Sequence, residues 1–599
     1  MPSAFTLPSA FTTRPTLQGT FGMSASTHWI ATATAQSVLE RGGNAFDAAV
    51  AAGFVLHVVE PHLNGPGGEV PAIFVTADRP GDPVVLMGQG PAPAGATRDH
   101  YRALGLDLVP GAGALAAAVP GAVDAWLLLL RDHGTWELAD VLAPAIGYAR
   151  DGHPVLAATC RTIAQVERLF REHWTTSAAQ WLPGGRLPRA GELVRNTAYA
   201  RTLERLVAAG GHGDRVARIE AARTAWREGF VAEAAAAFAA TPHRHSDGGT
   251  YAGVISVADF AAFSASYEPA VTAEFRGHTV AKTGPWGQGP ALLQMLTVLD
   301  GLDDERLDPS TAVGAHTVLE VLKLALADRD AYYGDDDAAL ATVDLLLTPE
   351  YAAQRRALIG ESASADVRPG HVPGRQPFRP PLRTVYGEEA EGVGEPTVSP
   401  TGAQRGDTCH IDVVDRWGNM ISATPSGGWL QSSPTIPELG FALGTRLQMT
   451  WLEDGAASSL EPGRRPRTTL TPTLVLRDGQ AVTALGSPGG DQQDQWQLLY
   501  LLRTIVGGYS PQQAIDAPAF HTRSMPDSFW PRTWDPARAV VEDRLGEEVI
   551  GELERRGHRV TRAGAWTLGR LSAVTRDPAT GMLGAAANPR GMQGYAAGR

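Results

Sequence analysis

Between Asn44 and Val59 the chain reads NAFDAAVAAGFVLHVV, and this run constrains the fold most. Asn44 can cap a helix, with Asp47 three residues later as in a capping box. The helix that follows is apolar on nearly every face. It has no side to offer water, so it must be buried. That demands a large core, and 599 residues at 43% hydrophobic content supply one. Length alone allows several domains.

The neighbouring segments can be read the same way. In THWIATATAQSVLERGG, Thr27 can cap a helix that Gly42 and Gly43 end. NGPGGEVP is turn-rich and leads into a strand, AIFVTA. Helices and short apolar strands are expected to alternate to about residue 350. Residues 359–407 change character: Pro, Gly and Glu are frequent and periodicity is lost, which predicts a long exposed loop or linker. TCHIDVVDRWGNMISATPS follows, two strand-like runs around the turn DRWGN. A loop entering a sheet suits either a processing site or an ordinary interdomain linker. There is no internal repeat.

Composition removes several function classes. A net charge of -13 repels phosphate backbones, so no nucleic-acid partner is expected. Cys160 and Cys409 are the only cysteines, too few for a disulfide framework or thiolate metal site, and both read as buried small hydrophobes. No apolar stretch nears the roughly 20 residues that span a bilayer. The first residues lack the pattern of a signal peptide, so a cytoplasmic location and no membrane partner are expected. GAGALA at 111–116 fits a dinucleotide-loop pattern but follows Pro110 rather than a strand, and Asp132 lies in a helix end. No phosphate loop, HExxH or G-x-S-x-G occurs. His243, His245 and Asp247 read as an exposed loop rather than a metal site.

At the loop–sheet junction stands Asp407-Thr408. A threonine hydroxyl needs a base to become a nucleophile. As a chain N-terminus, Thr408 would carry its own base, an α-amino group with a pKa of roughly 7.7 to 8. Along the strand Thr408 and His410 share one face and Cys409 the other. This local logic does not single out Thr408 among the threonines.

A resemblance does. RGDTCHIDVVDRWGNMISAT resembles the segment around the nucleophile of gamma-glutamyltransferases, and GSPGG at 486–490 resembles their oxyanion glycines. ERGGNAFDAAVAAGFVLHVVEPHLNGPGG, VPGAVDAW, ARDGHPV, GQGPALLQML and ALADRDAYYGDD also match, in the family's order, from about residue 22 to about 500. The resemblance implies an α+β fold, the four-layer αββα sandwich of N-terminal-nucleophile hydrolases. It implies self-cleavage between Asp407 and Thr408 into residues 1–407 and 408–599, which stay together as one intertwined heterodimer, further dimerisation being open. Thr408 becomes the nucleophile and Ser426 its hydrogen-bonding neighbour. Gly489 and Gly490 hold the oxyanion, and Thr468 and Thr469 match a Ser-Ser pair that helps hold a substrate carboxylate. No cofactor or metal is implied.

Three positions depart from the family pattern. Gln89, in QGPAP, replaces the arginine that grips the glutamyl α-carboxylate, so a bidentate ion pair is lost. Gly428 replaces an asparagine. Gln448-Met449-Thr450-Trp451 aligns with Gln-Met-Asp-Asp, so Trp451 replaces the ammonium-binding aspartate and adds bulk. SATPSGGWLQSSP with GTRLQMTWLE resembles the oxamate amidohydrolase-like branch. The resemblance therefore implies a small-molecule amide substrate, a short amide-acid such as oxamate, with Arg446 or Arg467 on its carboxylate. The alternatives are a genuine gamma-glutamyltransferase or glutathione hydrolase, and an uncleaved, non-catalytic binding protein.

Overall fold

The computed structural model describes residues 5–384 and 408–599. Two seven-stranded sheets lie face to face, each with every neighbouring pair antiparallel. The first runs Leu17–Gly19, Leu583–Ala587, Ser572–Arg576, Gln480–Gly486, Thr473–Arg477, His278–Lys282, Val271–Phe275. The second runs Ser266–Pro269, Arg79–Met87, Ala72–Thr76, Met420–Ala423, Ile411–Asp415, Gly22–Ser26, Tyr595–Gly598. Ile411–Asp415 packs on Ser572–Arg576 and Gln480–Gly486, so the sheets stack through their central strands. Helices Trp29–Glu40 and Ala45–Val59 cover the second sheet; Gly289–Asp300 and Gln493–Leu501 cover the first. The result is the expected α+β architecture, a four-layer αββα sandwich.

The apolar helix Ala45–Val59 is buried along its whole length, as its sequence requires. A Cβ on Gly53 would lie 2.6 Å from the Trp126 ring, so the close approach of the neighbouring helix depends on that glycine. The capping box forms: Asn44 accepts from the Phe46 and Asp47 N–H groups, and Asp47 accepts from Asn44 N at 3.0 Å. Asp47 reaches further, accepting Thr135 N at 2.8 Å, Thr135 Oγ1 at 2.7 Å and Trp136 N at 3.0 Å.

Several local expectations are corrected. The helix Trp29–Glu40 is capped by His28, whose Nδ1 accepts Ile30 N at 3.0 Å, and not by Thr27. The Thr27 hydroxyl serves the buried carboxylate of Glu60 instead, at 2.6 Å. Between residues 122 and 262 the strands separating the helices are only two residues long. The stretch 359–384 lacks helix and strand and is mostly exposed or half-buried, as its Pro and Gly content predicts, yet it is tied to the body of the protein at a few points. Val372 is fully buried. Gly370 N donates to Asp328 at 2.6 Å, Tyr332 donates to Gly370 O at 2.6 Å and Lys323 donates to Ser364 O at 2.7 Å. Polar side chains of the helix Ala312–Tyr332 thus satisfy a backbone that cannot pair with itself. Residues 385–407 of the expected linker, Asp407 included, lie outside the described residues.

The histidine pair is not an exposed loop either. His245 is buried, and the imidazoles of His243 and His245 accept the N–H groups of Ala114 (2.9 Å) and Leu115 (3.1 Å). They start the single 3₁₀ turn within GAGALA, whose orphan donors need acceptors. Cys409 is buried as expected, whereas Cys160 is half-buried. Among the described residues, no helix is long and apolar enough to cross a membrane.

Replacing Asp47 with alanine leaves three backbone donors without their acceptor, those of Asn44, Thr135 and Trp136. Each unpaired donor costs about 1 to 3 kcal/mol where it is buried. Asp47→Ala should therefore lower the thermal unfolding midpoint by several degrees. A midpoint equal to that of the parent would contradict this account of how the central helix begins.

Candidate functional site

Thr408 leads into the central strand Ile411–Asp415 and forms an isolated antiparallel bridge with Ser426. Strand alternation then sends consecutive side chains to different layers. Cys409 points at the helix layer: its thiol donates to Glu60 at 3.0 Å and accepts from Asn64 Nδ2 at 3.1 Å. Burial and the neighbouring Glu60 hold the Cys409 thiol well above its ordinary pKa, so it is no thiolate nucleophile. His410 points at the other sheet, against Gly486, where an added Cβ would lie 2.1 Å from the ring. Its Nδ1 pairs with Thr424 Oγ1 at 2.9 Å and its Nε2 with Asp412 at 2.8 Å, while Ser572 donates to Asp412 at 2.7 Å.

Thr408 itself is buried, with Oγ1 3.3 Å from Ser426 Oγ. Ser426 accepts from Arg446 Nη2 at 3.0 Å, and Arg446 Nε donates to Glu69 at 2.7 Å. Glu69 stands directly across from Ser426 in the short ladder of Gly68–Glu69 with Ser426–Gly427. A buried chain of four side chains results: Thr408, Ser426, Arg446, Glu69. Burial pushes the Glu69 carboxyl above its ordinary pKa, and the charge of Arg446 pulls it back. The ladder leaves no space for side chains at its glycines. A Cβ on Gly68 would lie 2.0 Å from Ser426 O, and one on Gly428, at φ 62°, would lie 2.7 Å from Gly68 N. This backbone has no room for an asparagine at 428.

A second cluster surrounds GSPGG. Gly489 and Gly490 have φ of 129° and 52°, conformations that disfavour other residues, and they precede the helix Gln493–Leu501. The next residue, Asp491, accepts from Ser528 N at 2.8 Å, from Ser528 Oγ at 2.6 Å and from Arg329. Arg467 Nη2 donates to Ser528 Oγ at 2.8 Å, while its Nη1 is buried without a partner. Thr468 N donates to Trp286 O at 2.8 Å; Thr469 Oγ1 is buried and unpaired. Phe529 bridges the clusters, its ring 6.5 Å from that of Trp429 and 6.0 Å from the Arg446 guanidinium.

The remaining expected positions sit as follows. Gln89 is fully buried and donates only to Gly90 O, at 3.0 Å; among the described residues it makes no bond to the Thr408 chain. Gln448 donates to Gly111 O at 3.2 Å and accepts from Trp530 N at 3.1 Å. The Trp451 ring lies 3.8 Å beneath the guanidinium of Arg532. Arg446 and Arg467, the two arginine candidates, are both buried but differently occupied: Arg446 is committed to Glu69 and Ser426, and Arg467 keeps a free donor edge. Sequence reasoning missed Glu69, Ser528 and Arg532. The last two lie beyond residue 500, where the motif matches ended.

Among the described residues one group has ligand atoms close enough for a metal ion: His316, Glu320 and His558, within 4.8 Å of one another. Its donors are already engaged. His316 Nδ1 bonds His558 Nε2 at 2.9 Å, and Glu320 pairs with Lys323 at 2.5 Å and Arg368 at 3.0 Å.

The sequence matches the family described as Gamma-glutamyltranspeptidase over residues 31–598. It is 30% identical to the Glutathione hydrolase-like YwrD proenzyme of Bacillus subtilis, over 96% of this chain and 98% of that one. It is 30% identical to the Oxamate amidohydrolase proenzyme of Klebsiella pneumoniae, over 97% and 98%. Among solved structures, LmbA2991HD superimposes with a TM-score of 0.92 at 56% identity, covering 98% of this chain and 100% of that chain.

Breaking a buried ion pair from one side strands a charge, at a cost of about 3 to 5 kcal/mol. Glu69→Gln should therefore lower the unfolding midpoint sharply, and adding Arg446→Met should recover much of the loss. If the double variant is no more stable than Glu69→Gln, the pair is not what holds this ladder.

Proposed function

This chain belongs to the gamma-glutamyltranspeptidase family, whose members are hydrolases and acyltransferases, and on that premise we propose that it is an autoprocessed amidohydrolase of a small amide-acid. The reading rests on the buried chain Thr408–Ser426–Arg446–Glu69 at the entry to the central strand. Scission between Asp407 and Thr408 gives residues 1–407 and 408–599 and makes Thr408 an N-terminus. Its amine, with a pKa of about 7.7 to 8, then takes the proton from Oγ1. Because Arg446 donates to Ser426 Oγ, the serine's own proton can turn toward Thr408 Oγ1 and steady the developing alkoxide.

Thr408 Oγ1 attacks the amide carbon, and the N–H groups of Gly489 and Gly490 receive the oxyanion. Each such donor is worth about 2.7 to 4 kcal/mol in the transition state. Collapse of the tetrahedral adduct forms an ester on Thr408 and releases ammonia or an amine carrying the proton held by the α-amine. Water, activated by the same amine, then frees the acid. No cofactor takes part in this scheme.

Substrate choice follows from charge. A glutamyl group brings an α-carboxylate and an ammonium, each needing a partner. With Gln89 in place of an arginine, Gly428 in place of an asparagine and Trp451 in place of an aspartate, those partners are missing. Truncating one partner of a buried charge pair costs about 2 to 5 kcal/mol. A short acid such as oxamate has a carboxylate and no ammonium. Arg446 is fully employed, so Arg467, with its unpaired Nη1, is the better partner for that carboxylate.

Three measurements test this. Purified protein should run as two fragments, the smaller beginning Thr-Cys-His-Ile. Thr408→Ala should abolish both cleavage and turnover, while Thr408→Ser retains part of each; full activity of the alanine variant rules out the nucleophile. Ammonia release from oxamate should exceed hydrolysis of a gamma-glutamyl anilide by about 30-fold or more in kcat/KM. Rapid anilide hydrolysis with inert oxamate would instead favour a gamma-glutamyl enzyme.

A further inference from the structure

We infer that Arg467 and Arg532 together form a clamp for a carboxylate on the acyl group of the substrate. The inference rests on the amidohydrolase reading for the identity of the site, but its own support is the pattern of unpaired donors. Arg467 and Arg532 are both buried, at 2% and 1% exposure. Arg467 uses Nη2 on Ser528 and leaves Nη1 empty. Arg532 uses Nη2 on the carbonyls of Gln448 and Thr450, each at 3.0 Å, and leaves Nε empty. Thr469 Oγ1, two residues beyond Arg467, is buried and unpaired as well. A buried guanidinium donor without an acceptor costs its desolvation energy unrecovered. Other arginines here carry such an atom too, and what sets this pair apart is its place around Ser528 and Trp451, beside the glycine turn.

The ion pairs point the same way. Three guanidinium groups, Arg329, Arg467 and Arg532, share this region with two carboxylates in contact, Asp330 and Asp491. Arg329 meets both, and Arg467 comes no nearer than 3.7 Å to Asp330. Arg532 has no carboxylate within ion-pair distance among the described residues. Asp527, Glu453 and Arg523 border the same region, so the charges there balance. What is missing is an acceptor close to Arg467 and Arg532, a place that a substrate carboxylate would fill. Burial holds the Arg532 guanidinium down to about 9 and that of Arg467 down to about 10, as expected of cations lacking a close anion.

Position makes the clamp relevant to chemistry. Ser528 immediately precedes a tight turn, Phe529 to Arg532, closed by Arg532 N donating to Phe529 O at 2.7 Å. Ser528 ties that turn to Arg467 and to Asp491, the residue following Gly490. Arg532 lies flat on Trp451, which fixes its plane and leaves its edge for in-plane hydrogen bonds. Trp451 therefore acts as the platform for a carboxylate-binding arginine. A neutral amide entering the same site leaves both donor edges unmatched and should be rejected.

The test is calorimetric binding of oxamate, with oxamide as its neutral counterpart, to the purified wild-type protein and to Arg467→Gln and Arg532→Gln. Melting midpoints check that each variant is folded, and Arg467→Lys and Arg532→Lys, which keep the charge, stand in for any that is not. Oxamate should bind the wild type at least 30-fold more tightly than oxamide. Each glutamine variant should lose most of that preference, and each lysine variant should keep an intermediate share. No preference in the wild type, or an unchanged preference in folded variants of both arginines, overturns the clamp. Ammonia release is scored separately: arginine-dependent binding of oxamate without turnover overturns the amidohydrolase reading while the clamp stands.

Discussion

The ion pair between Glu69 and Arg446 is the constraint around which the site is organised. Two charges removed from water are a liability unless their geometry is good and their remaining valences are filled. Here Arg446 spends its donors on Glu69, Ser426 and the sulfur of Met449, with its face toward Trp429. Glu69 in turn sits across the ladder from Ser426. The serine is thereby held from two directions, by backbone pairing and by an arginine, and its hydroxyl is left beside Thr408. The glycines at 68, 427 and 428 follow from the same need, since the two short strands must approach closely enough for the pair to close.

Much of this was legible in the sequence, and the limits have physical causes. The apolar run after Asn44 announced a buried helix because no other environment satisfies it. The hairpin around DRWGN was legible because its turn and alternation are local. GSPGG was legible only through its resemblance to the family's glycine pair; the physical reason, φ of 129° and 52° with Trp496 against Gly489, appears only in the structure. By contrast, nothing near Arg446 in GTRLQMTW reveals that its partner is 377 residues away. For the same reason Thr27 looked like a cap, when a distant carboxylate had first claim on its hydroxyl. His243 and His245 looked like loop residues because their acceptors serve a turn some 130 positions earlier. Pairings set by tertiary contact leave no periodicity to read.

The departures from the gamma-glutamyl pattern also become coherent in three dimensions. Positive charge is absent from position 89, and the free guanidinium edges lie instead at 467 and 532. Trp451, which looked like mere bulk, supports one of them. On the proposed reading, a carboxylate would be held from these edges rather than from position 89.

Each of the large sheets interleaves strands from before residue 384 and after residue 408. In the second sheet Ile411–Asp415 has Gly22–Ser26 on one side, and Met420–Ala423 has Ala72–Thr76 on the other. A cut in the connection between those halves breaks none of the ladder hydrogen bonds among the described strands. The unfolded form becomes two molecules instead of one, with translational freedom to gain. From that moment resistance to unfolding depends on protein concentration, as it does for any obligate dimer. A denatured sample must then find its partner by diffusion before either sheet can close.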